Sequence, residues 1–167
     1  NIQATNAPHM LFSEDNVVAK FNHNKSQWGL FYNLSARNFK KTYTDIDETY
    51  VLENKTIHRV QEGLHDQNKH FTHNIDLSYN LTEQDKYVFN VVFRNSVYDA
   101  PCLNQSNKLY DAADADNYIF SRLKNKQSSY TPSLDLYYQR TLPKNQMLTM
   151  SVTGTLMHTD NNRLYHE

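Results

Sequence analysis

The sequence predicts an all-β fold, an antiparallel up-and-down meander of about six strands. Three observations carry that expectation. From His70 to Leu81 apolar and polar residues alternate almost without error. Phe71, His73, Ile75, Leu77, Tyr79 and Leu81 are on one face, and His70, Thr72, Asn74, Asp76, Ser78 and Asn80 on the other. Successive side chains of a strand point to opposite faces, so such a segment has one greasy wall and one wet wall. Second, short turns and long connections alternate along the chain. Third, aromatic residues sit at one level of the greasy wall. Runs of about ten residues with this dyad repeat have the length and pattern of strands in a transmembrane β-barrel. The sequence thus describes part of such a barrel wall, with short periplasmic turns and long extracellular loops.

The strand candidates form three hairpins. The first joins a weak strand, Asn16 to Asn22 with Val17, Ala19 and Phe21 on one face, to Gln27–Ala36 through a turn at His23-Asn24-Lys25-Ser26. In Gln27–Ala36, Trp28, Leu30, Tyr32 and Leu34 alternate with Gly29, Phe31, Asn33 and Ser35. The second hairpin turns at Thr82-Glu83-Gln84-Asp85 and resumes with Tyr87, Phe89, Val91 and Phe93 on one face, Val88, Asn90, Val92 and Arg94 on the other. The third runs from Tyr130 to Arg140 and from Met147 to Leu156, with Pro143 and Asn145 in the turn where a break is wanted. The connections, roughly from Arg37 to Lys69 and from Val97 to Gln127, read as long loops, and in the first Tyr43-Thr44-Asp45-Ile46-Asp47 and Val60–Leu64 give no sustained 3.6-residue repeat that would make a helix.

Bulk properties restrict the function classes. A net charge of −1 and pI near 6.8 provide no basic field to recruit nucleic acid or anionic lipid. Mean hydropathy is −0.80, and no apolar run approaches the length of a spanning helix. A barrel escapes that test because only alternate strand residues face lipid. Cys102 is alone, so neither a disulfide framework nor a CxxC metal site is available. The chain begins at Asn1 without Met, charged n-region or apolar h-region, and no plug domain is recognisable in it. Residues 1–167 are therefore expected to be a fragment of one exported barrel domain.

Trp28, Tyr79, Tyr87 and Tyr138 share lipid-face parity, and each lies within a few residues of a short turn, as a periplasmic aromatic girdle requires. The opposite wall is mostly Ser, Thr, Asn, Gln and Asp, not the Lys and Glu of a solvated outer surface. That contrast favours lipid outside and a polar lumen inside. Asp76, Arg94, Asp135, Tyr137 and Gln139 have inward parity and are the lumen-facing candidates.

Thr131–Gln146 (TPSLDLYYQRTLPKNQ), with the run from Leu148 to the end (LTMSVTGTLMHTDNNRLYHE), is similar to the barrel of TonB-dependent receptor-like proteins of Bacteroidetes. Lys69–Phe93 (KHFTHNIDLSYNLTEQDKYVFNVVF) and Trp28–Lys41 (WGLFYNLSARNFKK) resemble earlier hairpins of the same barrels. The resemblance is one of strand style and turn phrasing across most of the chain, with no catalytic or ligand motif and no TonB box. It implies a large barrel, about 22-stranded with a plugged lumen, in the bacterial outer membrane. It further implies nutrient transport, with outer-membrane lipid, the remainder of the barrel, a plug domain, TonB and a nutrient ligand as partners.

Other chemistry finds little footing. The eight histidines include His58, His65, His70, His73, His158 and His166. His70 and His73 differ in parity and cannot share an ion without a bulge, while His158 and His166 fall in an expected loop. Asp111, Asp114 and Asp116 beside Asn117 lack the glycine and distal Glu of a calcium loop and read as a solvated acidic loop. No G-x-S-x-G elbow supports a hydrolase, and the chain reads as a non-enzyme without cofactor or metal. The leading expectation is a segment of a nutrient-transporting outer-membrane barrel. Its alternatives are a non-transporting, adhesin-like surface barrel and a soluble β-barrel binding a hydrophobic ligand.

Overall fold

The computed structural model describes residues 2–7, 12–53 and 55–167. Among the described residues the regular structure is an antiparallel ten-stranded sheet, with a 3₁₀ turn at Pro143–Asn145. The strands are β1 (Ile2–Ala7), β2 (Phe12–His23), β3 (Ser26–Thr42), β4 (Ile46–Leu52), β5 (Lys55–Leu64), β6 (Asp66–Glu83), β7 (Tyr87–Asp111), β8 (Asp114–Leu142), β9 (Gln146–Thr155) and β10 (His158–His166). Neighbours follow the order β1-β2-β3-β6-β7-β5-β4, and β8 pairs β7, β9 and β10.

Two compact units divide these strands. The first comprises residues 1–36, 71–99 and 128–160. Its three expected turns are present: Asn24 and Asp85 adopt positive φ of 51° and 62°, and Lys144 one of 65°. Asn and Asp tolerate the left-handed region better than most residues, which is why the chain reverses where they stand. In the last hairpin Leu134 faces Gly154, Leu136 faces Val152 and Tyr138 faces Met150, while Asp135 faces Thr153 and Gln139 faces Thr149. From Ser133 to Gln139 apolar thus opposes apolar and polar opposes polar, a match that a one-residue slip would destroy, whereas nearer the turn Arg140 faces Leu148 and Thr141 faces Met147.

The second unit comprises residues 37–70, 100–127 and 161–167. Here the expectation of two long loops is overturned. Arg37–Lys69 contains β4 and β5, paired from Ile46↔Gln61 to Leu52↔Lys55. Val97–Gln127 is strand apart from Ala112-Ala113, because β7 runs for 25 residues and β8 for 29. β5 also pairs β7, from Arg59↔Asp111 to Leu64↔Ser106. The strand count of about six is corrected for the same reason. The physical cause is polarity on both faces: a segment such as Asn104-Gln105-Ser106-Asn107-Lys108 has no period of two to detect. Its backbone ladder still satisfies every group it pairs, and the ladder does not depend on side-chain pattern.

Breaks between successive strands have local causes. At Tyr43-Thr44-Asp45 the chain crosses Gly63, where a Cβ would lie 2.6 Å from the backbone N and O of Thr44. The Asp45 carboxylate accepts the Gly63 amide at 2.9 Å, which holds the crossing in place. At the Ala112-Ala113 reversal the Asp111 carboxylate accepts the Ala113 amide at 3.0 Å, and the His58 carbonyl accepts that of Ala112 at 2.9 Å.

Candidate functional site: the polar wall of the first unit

The wet faces of β2, β3, β6 and β7 are joined side chain to side chain. Asn33 Nδ2 donates to Asn16 Oδ1 at 2.8 Å, Asn74 Nδ2 donates to Asn33 Oδ1 at 3.1 Å, and Ser96 Oγ donates to Asn74 Oδ1 at 2.7 Å. On the same wall the Arg94 guanidinium hydrogen-bonds and ion-pairs with the Asp135 carboxylate of β8. A recess of about 400 Å³ lies on this wall, bordered by Phe31, Asn33, Asn74, Asp76, Arg94 and Thr131. An asparagine amide both donates and accepts, so this row of side chains presents either role to whatever enters the recess.

Of the lumen-facing candidates, Asp76 and Arg94 border the recess and Asp135 is held through Arg94. Tyr137 and Gln139 stand apart: the Tyr137 hydroxyl donates to Gln139 Oε1, and Gln139 Nε2 donates to Met147 Sδ at 2.8 Å. Sequence reading missed the Asn16–Asn33–Asn74–Ser96 row as a connected feature. Its parity was legible, but which asparagines meet depends on the inter-strand register.

The opposite wall carries Trp28, Tyr79 and Phe89. The rings of Trp28 and Tyr79 are 4.4 Å apart, and those of Tyr79 and Phe89 are 6.2 Å apart. Tyr79 Oη is 3.2 Å from Ser26 Oγ, and Tyr32 Oη 2.8 Å from His73 Nδ1. Tyr138 faces Met150 across the β8–β9 ladder, and Tyr87 opens β7 directly after the turn. The four expected girdle residues therefore all belong to the first unit and stand near its turns. Next to them, Glu83 accepts Lys25 and Lys86, each at 2.8 Å. Hydrogen bonds from these two lysines pull the Glu83 carboxyl down to about 2. Backbone bonds link the same turns, from the Thr82 amide to the Lys25 carbonyl at 3.0 Å and from the Thr141 amide to the Lys86 carbonyl at 2.9 Å.

Neither wall is deeply buried. Leu77 is 44% and Leu134 46% exposed on the apolar wall, where Ile75, Phe89, Val91 and Leu136 are half-buried. On the polar wall Asp76 and Ser133 are half-buried and Arg94 is exposed. Among the described residues Ala100 is the apolar side chain that is buried.

The histidines are engaged locally. His58 Nδ1 lies 3.0 Å from Thr49 Oγ1, His65 meets the edge of Tyr43, and His158 stacks on Tyr130. His158 and His166 belong to β10, which corrects their expected place in a loop. Among the described residues no three His, Cys, Asp or Glu side chains are grouped to hold a metal ion. The expected acidic loop is instead the β7–β8 reversal, with Asp111 capping it and Asp114 and Asp116 starting β8. Among the described residues no helix is long and apolar enough to cross a membrane, which does not bear on barrels. No protein-family model, curated protein or solved structure matches the chain.

Proposed function

We propose that this chain is part of the wall of an outer-membrane β-barrel receptor of the TonB-dependent kind, which passes a nutrient across the bacterial outer membrane. The observation that carries the reading is the alternation of an apolar and a polar wall in the first unit without a buried apolar core: among the described residues the buried apolar side chain is Ala100, in the second unit. Leu77, Leu134 and Val152 are 44–58% exposed on the apolar wall, and the asparagine amides and the Arg94–Asp135 pair lie on the other. Lipid is the solvent that suits such an arrangement. A soluble barrel for a hydrophobic ligand needs the reverse, with Leu77 and Leu134 shielded inside. The apolar runs also have membrane-spanning length. Phe71–Leu81, Tyr87–Val97 and Tyr130–Tyr138 all lie in the first unit, whereas Lys40, Lys69, Arg122, Lys124 and Lys126 occupy the same parity in the second. Under this reading the plug domain, the rest of the barrel and TonB are partners, and Asp76 and Arg94 line the path. The two polar hairpins of the second unit favour a second reading, a surface-binding barrel that does not transport.

Single cysteines at Leu77 and Val91 in a Cys102→Ser background, carrying a fluorophore, test the orientation in intact membranes. Nitroxide lipids should quench both positions strongly. Both left unquenched would mean that the apolar wall does not face lipid, and the receptor reading would fail. TonB-dependent uptake by cells carrying the full protein separates the transporter from the surface binder.

A further inference from the structure

The sheet path ends at β4. Among the described residues this strand pairs with β5 alone, from Ile46↔Gln61 to Leu52↔Lys55. Backbone amides and carbonyls alternate in direction along a strand, so every second residue of β4 turns its N–H and C=O away from β5. Both strands belong to the second unit, apart from the apolar runs of the first. Every residue of β4 is exposed except Glu48, which is half-buried. Natural edge strands are commonly blunted by lysine, proline or a bulge. β4 (IDETYVL) has neither residue and pairs with β5 position for position.

The side chains narrow the occupant. One face carries Ile46, Glu48, Tyr50 and Leu52. Glu48 is already engaged there: it accepts the Tyr50 hydroxyl at 2.5 Å and lies 3.7 Å from the Arg59 guanidinium. Tyr50 and Leu52 remain 43% and 57% exposed. The other face carries Asp47, Thr49 and Val51, opposite Val60, His58 and Thr56, so no lysine or arginine faces Asp47 across the pair. From Asp45 to Glu53 the chain has Asp45, Asp47, Glu48 and Glu53 and no lysine or arginine. A second copy of this edge would crowd the same acids together, and like charges across strands are destabilising. A basic strand meets the opposite field.

We propose that β4 is a strand-addition edge for an extended peptide whose residues alternate between basic and apolar. The peptide continues the sheet beyond β4 through main-chain hydrogen bonds. Its basic side chains stand across from Asp47, and its apolar ones lie beside Tyr50 and Leu52. Because both strands have a period of two, the match holds whether the peptide runs parallel or antiparallel to β4. Main-chain bonds supply the affinity and alternate side chains the selectivity. The site stands independently of the membrane reading of the first unit.

The test uses the full protein in detergent micelles and a fluorescein-labelled acetyl-Lys-Val-Lys-Val-Lys-Val-Lys amide, read by fluorescence anisotropy against protein-free micelles. Binding should saturate, and the same peptide with Glu in place of Lys should not bind. N-methylation of one alternate set of peptide amides should abolish binding, and N-methylation of the other set should leave it intact, because only one set faces β4. Asp47→Lys, an exposed substitution that leaves the β4–β5 pairing in place, should weaken binding roughly threefold to tenfold as attraction across the strands becomes repulsion. Equal effects of the two methylations, no saturation above the micelle control, or unchanged affinity in Asp47→Lys would each overturn the assignment. So would a disulfide-linked dimer of Thr49→Cys in a Cys102→Ser background, which would place a second copy on the edge.

Discussion

Glu83 is a half-buried carboxyl with a strongly lowered pKa, and its role can be read from pH. Its folded value of about 2 lies below the ordinary 4.5 because Lys25 and Lys86 both donate to it. A depressed carboxyl contributes stability that is full above the unfolded value and is lost as pH falls through the folded one. Acidification from 4.5 towards 2 should therefore loosen the turn cluster. A carboxyl-carbon NMR titration should place the Glu83 midpoint near 2, and Lys25→Ala should raise it. A midpoint at the ordinary value would show that the lysines do not clamp it. Glycine positions offer a second residue-scale test. A Cβ at Gly63 would meet the Thr44 backbone at 2.6 Å, whereas one at Gly154 meets nothing within 4 Å. Gly63→Ala should cost about 1–3 kcal/mol as backbone is forced apart, and Gly154→Ala close to nothing, by denaturant unfolding.

At the scale of the strand, β6 and β8 owe their register to the wall on which each side chain stands. Leu77→Arg and Leu134→Arg each place a charge on the apolar wall, at a cost of roughly 2–4 kcal/mol if that wall is at bilayer mid-depth. Ser133→Arg places the same charge one residue away on the polar wall, next to the Arg94–Asp135 pair. Heat-modifiable gel mobility of the full protein should report loss of assembled barrel for the two leucine variants and near-native assembly for Ser133→Arg. Equal assembly of all three would mean that neither wall meets hydrocarbon. The alternation that makes this prediction possible ends near Ala36, Phe71, Val97 and Tyr130. β7 nevertheless runs 25 residues and β8 29, or about 80–95 Å at 3.3 Å per residue. Only about a third of that length is needed to cross the apolar core of a bilayer.

For the whole sheet, unpaired edges decide what the molecule needs. Among the described residues β1 pairs with β2 alone and β9 with β8 alone. Open edges carry unsatisfied amides and carbonyls, which hydrocarbon does not tolerate. Reconstitution of these 167 residues alone should leave them protease-sensitive, and supplying the remaining strands of a barrel should confer protection. Protection of the isolated chain as a monomer in vesicles would contradict the wall-segment reading.

Wherever one face differs from the other, the sequence by itself determined the local structure. The parity of Phe71–Leu81, the turns at Asn24 and Asp85, and the sides taken by Arg94 and Asp135 follow from a two-residue period and from the few residues that tolerate positive φ. The tertiary structure alone decided three further points. Polar strands without periodicity, β4, β5 and the far halves of β7 and β8, form because neighbouring backbone satisfies them, and backbone pairing leaves no trace in side-chain pattern. Which asparagines meet in the Asn16–Asn33–Asn74–Ser96 row depends on inter-strand register, a relation between segments far apart in the chain. Asp66 and Asn125 stand 59 positions apart, and only folding brings both residues to the lining of one recess.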